Sequence, residues 1–79
     1  MPANTLHHAR KILAENVRIA RLAAGISQEE LAFRAGIDRT YASQIERAIA
    51  NPSLGITCSI ADALGCSLID LLTARGGEG

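Results

Sequence analysis

Aromatic residues are nearly missing from this chain: Phe33 and Tyr41 are the whole inventory, there is no tryptophan, and proline occurs twice. A core drawn instead from Ala, Ile and Leu suits closely packed helices better than a sheet. Cysteine is scarce as well. Cys58 and Cys66 sit eight residues apart across an expected helix end and read as two free, buried thiols. A metal site would need two more ligands beside them, and the only histidines, His7 and His8, are at the far end of the chain. Neither a metal nor a cofactor is expected. Long apolar runs are absent too, because Arg10, Lys11, Glu15, Arg18 and Arg21 interrupt the N-terminal segment well short of the ~18 residues of a membrane span. No secretory signal is visible, so the expected location is cytoplasmic, with no membrane partner.

The chain also lacks an excess of charge of one sign: eight Lys/Arg stand against eight Asp/Glu. That balance is unusual for a nucleic-acid binder, which needs cations to displace counterions from phosphates. The total conceals an asymmetry. Residues 1–47 hold seven Lys/Arg against five Asp/Glu, and residues 48–79 hold one against three. At 79 residues the chain is expected to form one domain spanning 1–79, with its core at about 9–74 and a flexible tail at 75–79. A chain this short buries only ~60–65% of the surface its unfolded form exposes, which leaves no room for a large internal cavity.

What is present is helical periodicity. Leu13, Val17, Ala20 and Ala24 fall on one side of a helix from roughly Thr5 to Ala24, which Gly25 stops. Arg18 and Arg21 lie beside that stripe and are expected to face solvent or a phosphate; Ile12, Ile19 and Leu22 form a second apolar set, either extra core or a partner-facing surface. Ser27-Gln28-Glu29-Glu30 reads as a capping box, with Glu30 reaching back to the serine N–H. The second helix then starts at Gln28, turns Leu31, Ala32 and Ala35 inward, and ends near Gly36, with Ile37 as a buried plug. Asp38 caps a third helix, about Arg39 to Arg47, with Ala42, Ile45 and Ile49 inward and Arg39, Thr40, Ser43 and Arg47 on the opposite face. Asn51-Pro52-Ser53 starts a fourth helix, Leu54 to Leu64 before Gly65, and Ser67 caps a fifth, about Leu68 to Ala74. Gly76-Gly77-Glu78-Gly79 reads as a frayed tail. The fold class is all-α, a five-helix bundle.

Catalysis is the least supported class of function. The histidines lie in an N-terminal stretch expected to be flexible, no carboxylate pair shares an obvious cleft, and neither cysteine has an activating base nearby. No catalytic residue is assigned. Two short helices joined through Ala35-Gly36-Ile37 instead suit a helix-turn-helix, whose second helix lies in the major groove with its first residues at the base edges.

From about Leu13 to Leu72 the chain resembles the Cro/repressor-type, XRE-like helix-turn-helix family, whose fold is lambda-repressor-like. The resemblance is carried by Ile26-Ser27-Gln28-Glu29-Glu30-Leu31-Ala32, Arg34-Ala35-Gly36-Ile37, Ser43-Gln44-Ile45-Glu46-Arg47, Asn51-Pro52-Ser53-Leu54 and Ile60-Ala61-Asp62-Ala63-Leu64-Gly65. Leu31-Ala32-Phe33 with Asp38-Arg39-Thr40-Tyr41 looks most like the controller proteins of restriction–modification systems, small homodimers that bind paired operator sites upstream of their own gene. The resemblance implies double-stranded DNA as partner, and it leaves open two dimers on one operator and a contact with RNA polymerase.

Carried over residue by residue, it implies that Arg39 meets a guanine through O6 and N7, a pairing worth ~1–3 kcal/mol of discrimination. A salt bridge of Arg39 with Asp38 or Glu46 is the bland alternative. Thr40 and Ser43 are short enough to let the helix sit deep, or they are inert surface. Gln44 either bonds adenine or packs at the back of the helix. Backbone contacts fall to Gln28, Arg34, Tyr41, Arg47 and Asn51, with packing of Tyr41 on Phe33 as the other reading of that ring and an ordinary exposed amide as the other reading of Gln28. Glu46 is expected to fix a neighbouring cation. The chain departs from the family at Ala48-Ile49-Ala50, where relatives commonly carry glycine and then basic residues. Affinity is therefore expected to depend less steeply on salt than in a basic relative.

One recognition helix reads few base pairs, so a homodimer on a pseudo-palindrome is expected. Leu68-Ile69-Asp70-Leu71-Leu72 offers more apolar surface than one inward face uses, which assigns Leu68, Ile69 and Leu72 to the subunit interface, unless the cluster only closes the bundle. Two rivals remain at this point. One is an antitoxin that represses its own operon and holds a toxin through the first dozen residues or the Ile12, Ile19 and Leu22 stripe. The other is a helical scaffold that has kept the fold and lost the contacts.

Overall fold

In a computed structural model that describes residues 4–75, the chain forms five α-helices and, among those residues, no strand: α1 Thr5–Ala24, α2 Gln28–Ala35, α3 Arg39–Glu46, α4 Leu54–Leu64 and α5 Leu68–Leu72. The glycine-rich tail expected at 76–79 lies outside the described residues. Four helices start on a side-chain oxygen. Ser27, Asp38, Ser53 and Ser67 accept from the amides of Glu30, Thr40, Ile56 and Asp70, each satisfying a donor that the first turn leaves without an intrahelical partner.

The capping box expected at Ser27 is found at Ser67. At Ser67 the exchange is complete, because Asp70 also accepts from the Ser67 N–H. At Ser27 only half of it forms: Glu30 turns outward to accept from Arg34 Nε at 2.8 Å, one turn along the same helix.

Helix ends follow one pattern. After α1, α2 and α4 a glycine takes φ near +70°, and the following amide reaches back to a carbonyl five residues earlier. After α3 the same turn is made by Ala48, with φ +60°, and Ile49 N–H reaches the Gln44 carbonyl at 2.9 Å. This left-handed turn swings Ile49 out to solvent and brings Ala50 into the core, so the expectation of an inward Ile49 is corrected.

The core is one cluster: Leu13 and Val17 of α1, Leu31 of α2, Ile45 of α3, Ala50, Ile60 and Ala61 of α4, and Leu71 of α5. α1 packs against α3, α4 and α5, while α2 packs against α3 and α4. Twenty residues make α1 ~30 Å long, and its last turn runs to the surface. Ala24 is therefore exposed and Ala20 only half-buried, against the expected inward stripe. His7 and His8 belong to α1 rather than to a flexible stretch.

α5 is shorter than expected and ends at Leu72. Asn16, 2% exposed on the apolar side of α1, explains why: its Nδ2 donates to the Leu71 carbonyl at 2.8 Å and to the Thr73 carbonyl at 2.9 Å. A buried amide is tolerated because both of its hydrogens are used. Thr73 is left extended, outside the helix. The two cysteines are free and half-buried, not fully buried, and burial, aided by the charge of Asp70, pushes the Cys66 thiol pKa up.

Candidate nucleic-acid interface

The geometry of α2 and α3 is set by one carboxylate. Glu46, in the last turn of α3, accepts from Arg21 Nε at 2.6 Å on one oxygen and from Arg21 Nη2 at 3.1 Å on the other. The second oxygen also accepts from Gln28 Nε2 at 3.2 Å, and Arg21 Nη1 closes on the Ile26 carbonyl at 2.9 Å. The end of α1, the turn after it, the first residue of α2 and the last turn of α3 thus meet at a single ion pair. Its side chains are 13% and 2% exposed.

The hydrogen bond to Glu46 outweighs burial and pushes the Arg21 pKa still higher. Arg21 is consequently neither solvent-facing nor a phosphate ligand, as the sequence had suggested, while Glu46 does hold a neighbouring cation. Removing one member of such a pair leaves the other charge buried alone, at a cost of ~3–5 kcal/mol.

Between α2 and α3 the chain turns at Gly36, φ +72°, where an L side chain would be strained, and Ile37 packs against the core behind it. α3 then presents Arg39 and Thr40 exposed at its first turn, Ser43 half-buried one turn on, and Arg47 exposed just past its end. The bland reading of Arg39 fails on both partners: Glu46 is engaged by Arg21, and the Asp38 carboxylate caps the Thr40 amide at 2.9 Å. Among the described residues Arg39 has no ion pair. Gln44 is half-buried, so part of it faces inward.

The remaining expected contacts are spread around this helix. Gln28 is half-buried and already held by Glu46, which positions its amide at the start of α2. Arg34 is exposed and paired with Glu30, itself on the surface, at 2.8 Å. Tyr41 packs against the core cluster, whereas Phe33 is 81% exposed, so the aromatic pair entertained for Tyr41 is replaced by packing on the core. Asn51 is exposed at the turn before α4. On α5, Ile69 is 69% exposed and Leu72 is exposed beside it, with Leu68 half-buried. No three His, Cys, Asp or Glu side chains among the described residues are grouped to hold a metal, and no helix there is long and apolar enough to cross a membrane.

Comparison with known proteins decides what this arrangement is. The helix-turn-helix family model matches residues 17–71, which covers α2, the Gly36 turn and α3 together with most of the helices that support them. The chain belongs to the helix-turn-helix family.

It is a DNA-binding regulator of transcription of the XRE-like kind, homologous to restriction–modification controller proteins. Control protein C.SmaI of Serratia marcescens is 43% identical over 67 residues, which are 85% of this chain and 80% of that protein. The crystal structure of the hypothetical transcription factor NHTF from Neisseria superposes with a TM-score of 0.84 at 41% identity, over 89% of this chain and 80% of that one. The restriction–modification controller protein C.AhdI from Aeromonas hydrophila gives a TM-score of 0.76 at 37% identity, over 78% of this chain and 94% of that one.

Sequence reasoning missed what two residues do for the helix ends, Asn16 for α5 and Ala48 for α3. Asn16 had a signal, a polar residue spaced with Leu13, Val17 and Ala20 on a buried face. Ala48 makes, with a positive φ, the left-handed turn after α3 that glycine makes after α1, α2 and α4.

Proposed function

We propose that this protein is a restriction–modification controller that binds a pseudo-palindromic operator in double-stranded DNA as a homodimer, and that it is not an enzyme. The observation that carries the reading is the unpaired, exposed Arg39 at the capped start of α3, on a helix whose pose is locked from behind by Arg21 and Glu46.

Arg39 reads a guanine, Thr40 and Ser43 meet base edges or sugar, and the exposed part of Gln44 completes the base contacts. Gln28, Arg34, Tyr41, Arg47 and Asn51 hold the backbone. At Gln28 the amides of the first turn of α2 add a favourable dipole for a phosphate. Ile69, with Leu68 and Leu72, joins two copies so that their α3 helices fall one helical turn apart. The control-protein relative favours this over the antitoxin reading. No cofactor is needed, and the work is cytoplasmic. Two dimers on one operator, and a touch to RNA polymerase beside it, extend the same reading.

Ile69→Glu tests the assembly. Light scattering at micromolar concentration is expected to give a dimer for the wild type and a folded monomer for the variant. A variant that stays dimeric moves the interface elsewhere.

A further inference from the structure

A cleft of about 440 Å³ opens between the first half of α1, the end of α3 and the chain after α5. Lys11, Arg18, Arg47 and Arg75 line it, against the carboxylates of Glu15 and Glu46. Glu46 is already engaged by Arg21 and Gln28, which leaves Glu15 as the one lining carboxylate without such partners. Lys11, Arg18 and Arg47 are exposed and make no ion pair among the described residues. Arg75 is held only by a long 3.4 Å hydrogen bond to Asn16 Oδ1. The cleft is therefore a concentration of uncommitted positive charge in a chain of zero net charge.

Its position gives that charge a partner. Eight residues make α3 ~12 Å long, about the width of the major groove. With Arg39 at the base edges, the Arg47 end of α3 emerges beside the sugar–phosphate backbone. Two of the four cations, Lys11 and Arg75, lie outside residues 17–71, the stretch that the family model matches.

We propose that this cleft seats backbone phosphates of the DNA flanking each half-site, Lys11 and Arg18 of α1 acting beside Arg47. The proposal rests on the DNA-binding reading above and adds to it a second contact surface. The positive charge that Ala48-Ile49-Ala50 removes from the turn is returned from α1, one helix away. The shallow salt dependence expected from the turn alone is then the behaviour of a protein without the cleft cations, not of the wild type.

The test compares wild type with the double variant Lys11→Gln, Arg18→Gln, both sites being exposed and glutamine a comparable helix former. The probe is a duplex that the wild type selects from a random pool, used at two lengths: trimmed to the half-sites, and extended by about half a helical turn, ~5 bp, on each side. Unfolding midpoints are expected to agree. On the long duplex the variant is expected to bind about tenfold more weakly at ~0.1 M salt, with the slope of log K against log salt reduced by ~1.8 per protomer. On the trimmed duplex the two proteins are expected to converge. Equal slopes on the long duplex, or the same loss at both lengths, overturn the cleft and leave base reading by α3 intact. A pool that yields no preferred duplex overturns the DNA reading itself, and the cleft with it.

Discussion

α3 and α5 begin alike and expose opposite chemistry. Each opens on an oxygen cap, Asp38 on Thr40 and Ser67 on Asp70, and each is fastened to α1 by one polar side chain. For α3 the fastener is charged, Arg21 on Glu46; for α5 it is neutral, Asn16 on the carbonyls of Leu71 and Thr73. Outward, α3 shows Arg39 and Thr40, whereas α5 shows Ile69 and Leu72. Caps and fasteners thus fix where a helix stands. The exposed side chains alone decide whether it meets phosphate and base or another apolar surface.

The two fasteners differ most in what their loss leaves behind, and the largest expected effect follows from that. Arg21→Ala strands the Glu46 carboxylate, 2% exposed, and is expected to cost about 3 kcal/mol or more of unfolding free energy in urea. Asn16→Ala strands two neutral carbonyls and is expected to cost less, ~1–3 kcal/mol, with the damage confined to α5 and the chain after it. Amide exchange should separate the two: fast exchange in α3 for the first variant, fast exchange in α5 for the second. A larger loss at Asn16 than at Arg21 would break the distinction between charged and neutral anchoring.

A smaller effect concerns the turn that follows α3. Ala48 sits at φ +60°, a conformation that costs an L residue ~1–2 kcal/mol. Glycine removes that cost but gives the unfolded chain ~0.4–1 kcal/mol of extra freedom. Ala48→Gly is therefore expected to stabilise the protein by roughly 0.5–1 kcal/mol, read as a higher urea midpoint at unchanged slope. A lower midpoint would mean that the turn after α3 is not left-handed.

The helices were legible in the sequence because caps and glycines are local signals. Ser27, Asp38, Ser53 and Ser67, with Gly25, Gly36 and Gly65, mark starts and stops without reference to the rest of the chain. What stayed hidden is non-local. Arg21 and Glu46 are twenty-five positions apart, and Asn16 and Leu71 fifty-five; nothing in either neighbourhood announces the partner. Ile49 was misplaced for a related reason, since its direction depends on one backbone angle at Ala48, where alanine conceals a left-handed turn. At the interface, the polar character of Arg39, Thr40 and Ser43 was readable. The absence of any ion pair at Arg39 became visible only once Glu46 was seen to be taken.

That vacancy makes Arg39 the residue on which the account turns. The decisive measurement is a binding titration of the wild type and of Arg39→Ala against the DNA just upstream of the protein's own gene, beside random DNA of equal length. The account predicts that the wild type prefers the upstream DNA and that Arg39→Ala loses ~1–3 kcal/mol of that preference per half-site, with its unfolding midpoint unchanged. Equal affinity of the wild type for upstream and random DNA would contradict it.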